Sequence, residues 1–136
     1  MIDKTMSDEI SAPYGAFLLR VALGVMWLAH AALKYFVFGI DGFAQFLGSE
    51  GLPSFMAWPV VLMEVVGGLA ILLGVYARHV ALALTPILAV AMWTHVPNGW
   101  VFSAPGGGWE FPAYLLATSV ALAPVGDGAF ALKRCA

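Results

Sequence analysis

Apolar residues run almost unbroken through four stretches of the chain, at about 13–38, 53–76, 79–95 and 109–124. A helix that spans a bilayer needs about 20 such residues, within a range of about 17–25. Each stretch is therefore predicted to be a transmembrane helix. Ser11 is placed to cap the first, with Pro13 tolerated in its opening turn, and Pro53 stands at the start of the second. Pro86 predicts a kink in the third. The last two are short, so they are expected to tilt little or to begin deeper in the headgroup region.

The connections carry patterns of their own. Between the first two stretches, Phe43, Phe46 and Leu47 recur at helical spacing, which predicts either a short amphipathic turn at the interface or a loop tucked over the bundle. The connection at 97–109 has no charge, three consecutive glycines, and Trp100 and Trp109 to sit in an interfacial belt.

Composition agrees with this pattern. Hydrophobic residues make up 62% of the 136 residues and charged ones 10%, with a mean hydropathy of +0.90. Six basic and eight acidic side chains cannot clothe a soluble domain of this size. No basic cluster points to nucleic acid. Cys135 is the only cysteine, so one chain can form no disulfide, redox pair or cysteine metal site. Near the terminus it reads as inert, with acylation or a lipid-facing thiol as alternatives. The polar, acidic leader lacks the basic start of a signal peptide and reads as a poorly ordered tail.

If four helices cross, Lys4, Arg78, Lys133 and Arg134 fall on one side and Lys34 alone on the other. The positive-inside rule then places both termini in the cytoplasm. The expected fold is all-α, a polytopic four-helix up-down bundle at 13–126, with a polar tail at 1–12 and a cytoplasmic tail at 127–136.

The candidate chemistry is the set of ionisable groups at membrane depth. Glu64 falls near the middle of the second helix, where a carboxylate costs about 2.5–3.5 kcal/mol on insertion scales and needs a holder. Arg20, Trp27, His30 and Lys34 share a stripe about 80° wide on the first helix. Gly24 and Ala31 lie on that stripe, and Gly67 and Gly68 follow Glu64, so both faces permit close packing. With both helices centred on the bilayer, Glu64 is level with Met26, with Arg20 about 9 Å to one side and His30 about 6 Å to the other. An Arg20–Glu64 pair with His30 above it is therefore expected. Lys34, His95 and Glu110 form a second polar group beneath the glycine-rich connection, with His30 joining the two levels.

Structural readings stand beside the functional ones. The ion pair can serve only to fix helix register, Lys34 can snorkel to the interface, and Glu110 can complement its helix N-terminus. No local ligand spacing supports a metal, and none is expected. Haem would require His30 and His95 as axial pair, and no nucleotide-binding loop is present.

Several segments resemble the DoxX family. They are the stretch from Leu19 to Lys34, Gly51-Leu-Pro, the stretch from Glu64 to Gly74, His95-Val-Pro-Asn-Gly, and Gly108-Trp-Glu. The resemblance covers about residues 15–125 and implies a four-helix bacterial inner-membrane protein. Family motifs match at Arg20, Lys34, Glu64, Gly67, Gly68, His95 and Glu110, while Ala31 stands where the family more often has glycine. Some relatives are linked to sulfur oxidation with quinone as acceptor and others to oxidative-stress complexes.

The expected function is a quinone- or small-molecule-linked subunit of a membrane oxidoreductase system. In it His30, Glu64 and His95 exchange protons, and Arg20, Trp27, Lys34 and Glu110 hold the head group. Electrons would come from a protein partner or a soluble donor, because no redox centre is visible in the chain. A non-catalytic assembly partner, or a small proton-coupled transporter acting as an oligomer, are the alternatives.

Overall fold

The computed structural model describes residues 4–136, and its named elements are all helical. Helix α1 spans Lys4–Ala32 and continues as a π-helical turn, Leu33–Val37. Helix α2 spans Ile40–Ser49, α3 Ala57–Leu73, α4 Ala77–His95 and α5 Glu110–Val125. Three spans, Thr5–Val37, Ser54–Leu73 and Ala77–Asn98, are long and apolar enough to cross a membrane by length and composition. Glu110–Val125 is a shorter apolar helix. Helix α1 packs on α3, α3 on α4, α4 on α5, and α5 back on α1, which closes the bundle.

The leader differs from its expected form. Residues 1–3 of the expected tail lie outside the described residues. From Lys4 onward the leader is helical and runs through Pro13. Ser11 is not a cap, since its hydroxyl donates to the Asp8 carbonyl within the helix at 3.4 Å. Extending an existing helix fixes one residue per hydrogen bond, so a polar leader can continue what the apolar segment nucleates. The second helix begins later than expected, since Pro53 is extended and a 3-10 turn, Ser54–Met56, precedes α3.

Helix α2 resolves the reading left open for Phe43, Phe46 and Leu47. Phe43 and Leu47 are buried in a small core with Ala31, Ala57 and Val61, and Phe46 faces outward. The larger core is built from Leu23, Trp27, Ile71, Leu84, Leu88, Leu115 and Leu122.

Glycines set how α1 meets α3. A Cβ on Gly24 would lie 2.8 Å from the Leu72 backbone, and one on Gly68 3.0 Å from Trp27 Cβ. Gly67 instead faces Leu84 of α4. The two helices therefore interlock with residue 24 level with 72, and 27 and 28 level with 68.

At the end holding the termini, the chain satisfies backbone groups that a helix leaves open. The last four carbonyls of a helix lack intrahelical partners, which is expensive where water is scarce. In α3 all four are met. Val75 N–H donates to Ala70, Gly74 N–H and the Arg20 guanidinium to Ile71, Arg20 to Leu72 at 2.8 Å, and Leu132 N–H to Leu73. The other arm of Arg20 donates to the Ala129 carbonyl at 2.8 Å. Gly74 is left-handed at φ 74°, and a side chain there would run into the Arg20 guanidinium and the Ala131 backbone.

The segment after α5 folds back onto this end. Ala129 N–H donates to the Pro13 carbonyl, and Lys133 exchanges hydrogen bonds with Gly74 and Tyr76. Asp127 is 6% exposed and accepts from the Cys135 amide at 2.7 Å and the Arg78 amide at 3.2 Å, in the first turn of α4. It supplies the negative group that this helix start lacks on its own N-cap, Tyr76.

Burial alone would raise the Asp127 carboxyl, but the Cys135 and Arg78 amides, the Cys135 thiol and the Arg78 charge outweigh it and hold the carboxyl below its ordinary value. The folded chain then binds this proton less readily than the unfolded chain. Its stabilisation is complete above the ordinary aspartate range, about 3.9, and is lost as pH falls through the folded-state value. The Cys135 amide resonance in lipid micelles is expected to titrate with a midpoint below that of a free aspartate. A midpoint at the free value, or none in Cys135 and Arg78 alike, would contradict this anchoring.

Candidate functional site

The buried carboxylate is paired, and its partner is Lys34. Lys34 Nζ donates to Glu64 Oε1 at 2.8 Å and Oε2 at 3.1 Å. The expected Arg20–Glu64 pair does not form, because the two helices are not centred on one plane. Glu64 was expected level with Met26, but the interlock at Gly24 and Gly68 shifts it by about six residues, or about 9 Å, toward Lys34. Arg20 thereby reaches the end of α3, is 1% exposed, and serves carbonyls rather than a carboxylate.

The π-helical turn places Lys34 for this task. A π turn widens the helix by one residue and is frequent at functional sites. It carries Leu33–Val37, and the Lys34 ammonium also lies 5.4 Å from the centre of the Phe43 ring. The two partners differ in exposure, at 18% of the Lys34 side chain against 2% for Glu64. Glu64 is sealed, while Lys34 keeps one side open.

The remaining predicted residues lie toward the same end, but not on one another. His30 stacks on Phe111 of α5, with ring centroids 5.4 Å apart. The His95 ring stays on its own helix, with Nδ1 2.6 Å from the Ala91 carbonyl and 3.1 Å from the Thr94 hydroxyl, beneath Gly107. Glu110 Oε1 accepts the Phe102 amide at 2.7 Å. The expected group of Lys34, His95 and Glu110 is therefore three separate contacts. Trp27 belongs to the packing core. Among the described residues no three His, Cys, Asp or Glu side chains converge as a metal site.

The connection between α4 and α5 is an ordered cap. Trp109 N–H donates to Gly99, Glu110 N–H to Trp100, and the Asn98 amide to Gly107 at 2.8 Å. Trp100 and Trp109 pack edge to face at 4.5 Å. Between this cap and α5 opens a cleft of 540 Å³, walled by Trp100, Phe102, Phe111, Ala113 and Tyr114, with Glu110 as its one charged group. Phe102, Phe111 and Tyr114 escaped the sequence reading, since isolated aromatics in an apolar chain read as core or belt.

The DoxX family model matches residues 15–97. The chain belongs to the DoxX family. It is 37% identical over 119 residues to the Bacillus subtilis (strain 168) protein named "Putative oxidoreductase CatD", a match that covers 87% of this chain and 84% of that one. No solved structure gives a significant match. The family match takes in Arg20, His30, Lys34, Glu64 and His95, and stops before the cleft-forming residues of the last connection and α5.

Breaking a buried ion pair by removing one partner costs about 3–5 kcal/mol, because the remaining charge is stranded. In this DoxX protein the stranding is unequal. Lys34→Met leaves the sealed Glu64 alone and is expected to cost in that range. Glu64→Gln leaves Lys34 free to turn outward and is expected to cost clearly less. Combining Lys34→Met with Glu64→Leu should recover most of the loss. Unfolding in bicelles measures all three, and equal losses from the two single changes would refute the asymmetry.

Proposed function

We propose that this DoxX protein is a multi-pass subunit of a bacterial inner-membrane oxidoreductase system that holds a quinone or a related flat redox molecule in the cleft beside α5. The observation that carries this reading is the cleft itself. Its volume of 540 Å³ suits a single aromatic head group, and its walls are aromatic apart from Ala113 and Glu110. The residues present fit such a molecule, since flat rings stack on Trp100, Phe102, Phe111 and Tyr114 while an isoprenoid tail lies along lipid-facing apolar surface.

The family membership and the oxidoreductase named among its relatives support the same direction. In this reading α1, α3, α4 and α5 all cross the bilayer, both termini are cytoplasmic, and the cleft opens near the outer face. The basic residues Arg78, Lys133 and Arg134 at the opposite end support that orientation.

A quinone supplies a carrier for two electrons and two protons. The chain's own residues do the holding and the proton handling. Glu110 lines the cleft, and His30 lies behind one wall, against Phe111. Electrons come from a protein partner or a soluble donor, since a chain with one cysteine offers no dithiol of its own. Glu64 and Lys34 already satisfy one another, so their part is to fix α1 against α3 rather than to meet the ligand.

That closed pair also supports a second reading, a non-catalytic partner that assembles with other membrane chains. The bundle offers such chains a lipid-facing groove lined by Leu28, Ala32, Tyr35, Trp58 and Leu62.

Extraction and mass spectrometry of protein purified in lipid separate the two. Stoichiometric quinone or its quinol is expected with the wild type and with Glu64→Gln, and loss of it with Phe111→Ala. A folded wild type that carries no such molecule, and cannot be loaded with one, would transfer the weight to the assembly role.

A further inference from the structure

The cleft has one charged group, and its chemistry discriminates between ligands. A carboxylate only accepts hydrogen bonds, through about four lone-pair sites on its two oxygens. In Glu110 one of these is taken by the Phe102 amide at 2.7 Å, which also fixes the carboxylate's position at the cleft wall. The position is held from the backbone as well, since Glu110 N–H donates to the Trp100 carbonyl and Trp109 N–H to Gly99. Both the cap and the carboxylate are thus set before any ligand arrives.

An aromatic ligand in this cleft meets Glu110 with one of two kinds of edge. A ring hydroxyl donates to the carboxylate, and hydrogen bonds to an ionised acceptor are roughly twice as strong as neutral ones. A ring carbonyl presents lone pairs to lone pairs and is repelled. Trp100 and Tyr114 also line the cleft and carry polar groups, an indole N–H and a phenol, but neither is charged.

We infer that the cleft selects hydroxyl-bearing aromatic rings over their carbonyl counterparts, with Glu110 accepting the ring O–H. Within the reading that the cleft binds a flat redox molecule, on which this inference rests, the bound form is the reduced, quinol-like one. Trp100 and Phe102, two of its lining residues, are 52% and 70% exposed, so the cleft is open on their side.

The test uses the full chain in lipid nanodiscs at pH 7, with empty nanodiscs subtracted, and calorimetric titration of 1-naphthol, 1-methoxynaphthalene and 1,4-naphthoquinone. These probes share one ring system and differ in the edge offered to Glu110. 1-Naphthol is expected to bind about tenfold more tightly than either of the others, the effect of one charge-assisted hydrogen bond. In Glu110→Gln the amide oxygen still accepts from Phe102, and its N–H₂ now offers a donor to a carbonyl. The gap between naphthol and naphthoquinone should close in that variant.

Equal binding of all three by the wild type, tighter binding of the naphthoquinone, or an unchanged gap in Glu110→Gln overturns the inference while leaving a ligand cleft in place. Absence of binding by any probe to folded protein overturns the cleft reading as well. Should Glu110→Gln not fold, the comparison of naphthol with its methyl ether in the wild type decides the matter alone.

Discussion

The close approach of α1 and α3 is the constraint from which the rest of the structure follows. Gly24 lets the Leu72 backbone in, and Gly68 lets in Trp27 and Leu28. Between lipid-embedded helices there is little hydrophobic driving force, so contact depends on small residues that let backbones meet. Once these two notches engage, the helices have one register. That register puts Lys34 opposite Glu64 and puts Arg20 at the C-terminal end of α3. The buried charges do not choose their partners by affinity alone, since the backbone brings only one candidate within reach.

The two ends of the bundle are consequently built for different purposes. At the end with the termini, the two buried charged side chains, Arg20 and Asp127, are spent mainly on backbone. Arg20 collects carbonyls from Ile71, Leu72 and Ala129, and Asp127 collects amides from Arg78 and Cys135. Such an end is a closure, with each donor or acceptor replacing water that the membrane excludes. At the other end the polar groups are dispersed, each held by one or two contacts, and aromatic surface remains open around them.

Much of the fold was legible in the sequence because apolar run length and proline and glycine punctuation report helices directly. The four apolar helices follow from that pattern, while the helical spacing of Phe43, Phe46 and Leu47 left open whether that segment lies at the interface or packs on the bundle. The pairing of Glu64 was not legible. Deriving it required helix level, and level was estimated by centring each helix on the bilayer, whereas α1 extends back to Lys4 and α3 starts only at Ala57. A shift of a few residues changes the partner of a buried charge, yet it leaves the hydropathy profile untouched. Asp127 was passed over for a different reason. Its partners, the amides of Arg78 and Cys135, are backbone groups, and no side-chain pattern announces them.

The same geometry bears on where function resides. Glu64 is the most conspicuous residue of the chain because a carboxylate in an apolar run demands an explanation, and Lys34 provides one inside the molecule. This carboxylate is 2% exposed and is held by Lys34 through both oxygens. Glu110 is the less conspicuous carboxylate, at the start of a helix where a structural role was the simpler reading. Yet one of its oxygens is fixed by the Phe102 amide, and the group forms part of a cleft wall with aromatic neighbours. A site needs a group that is positioned and still has bonding capacity, which is why the proposed ligand cleft is built around Glu110. The Lys34–Glu64 pair ties α1 to α3 in the register that the glycine notches set, and on the same α1 His30 packs against Phe111 of α5.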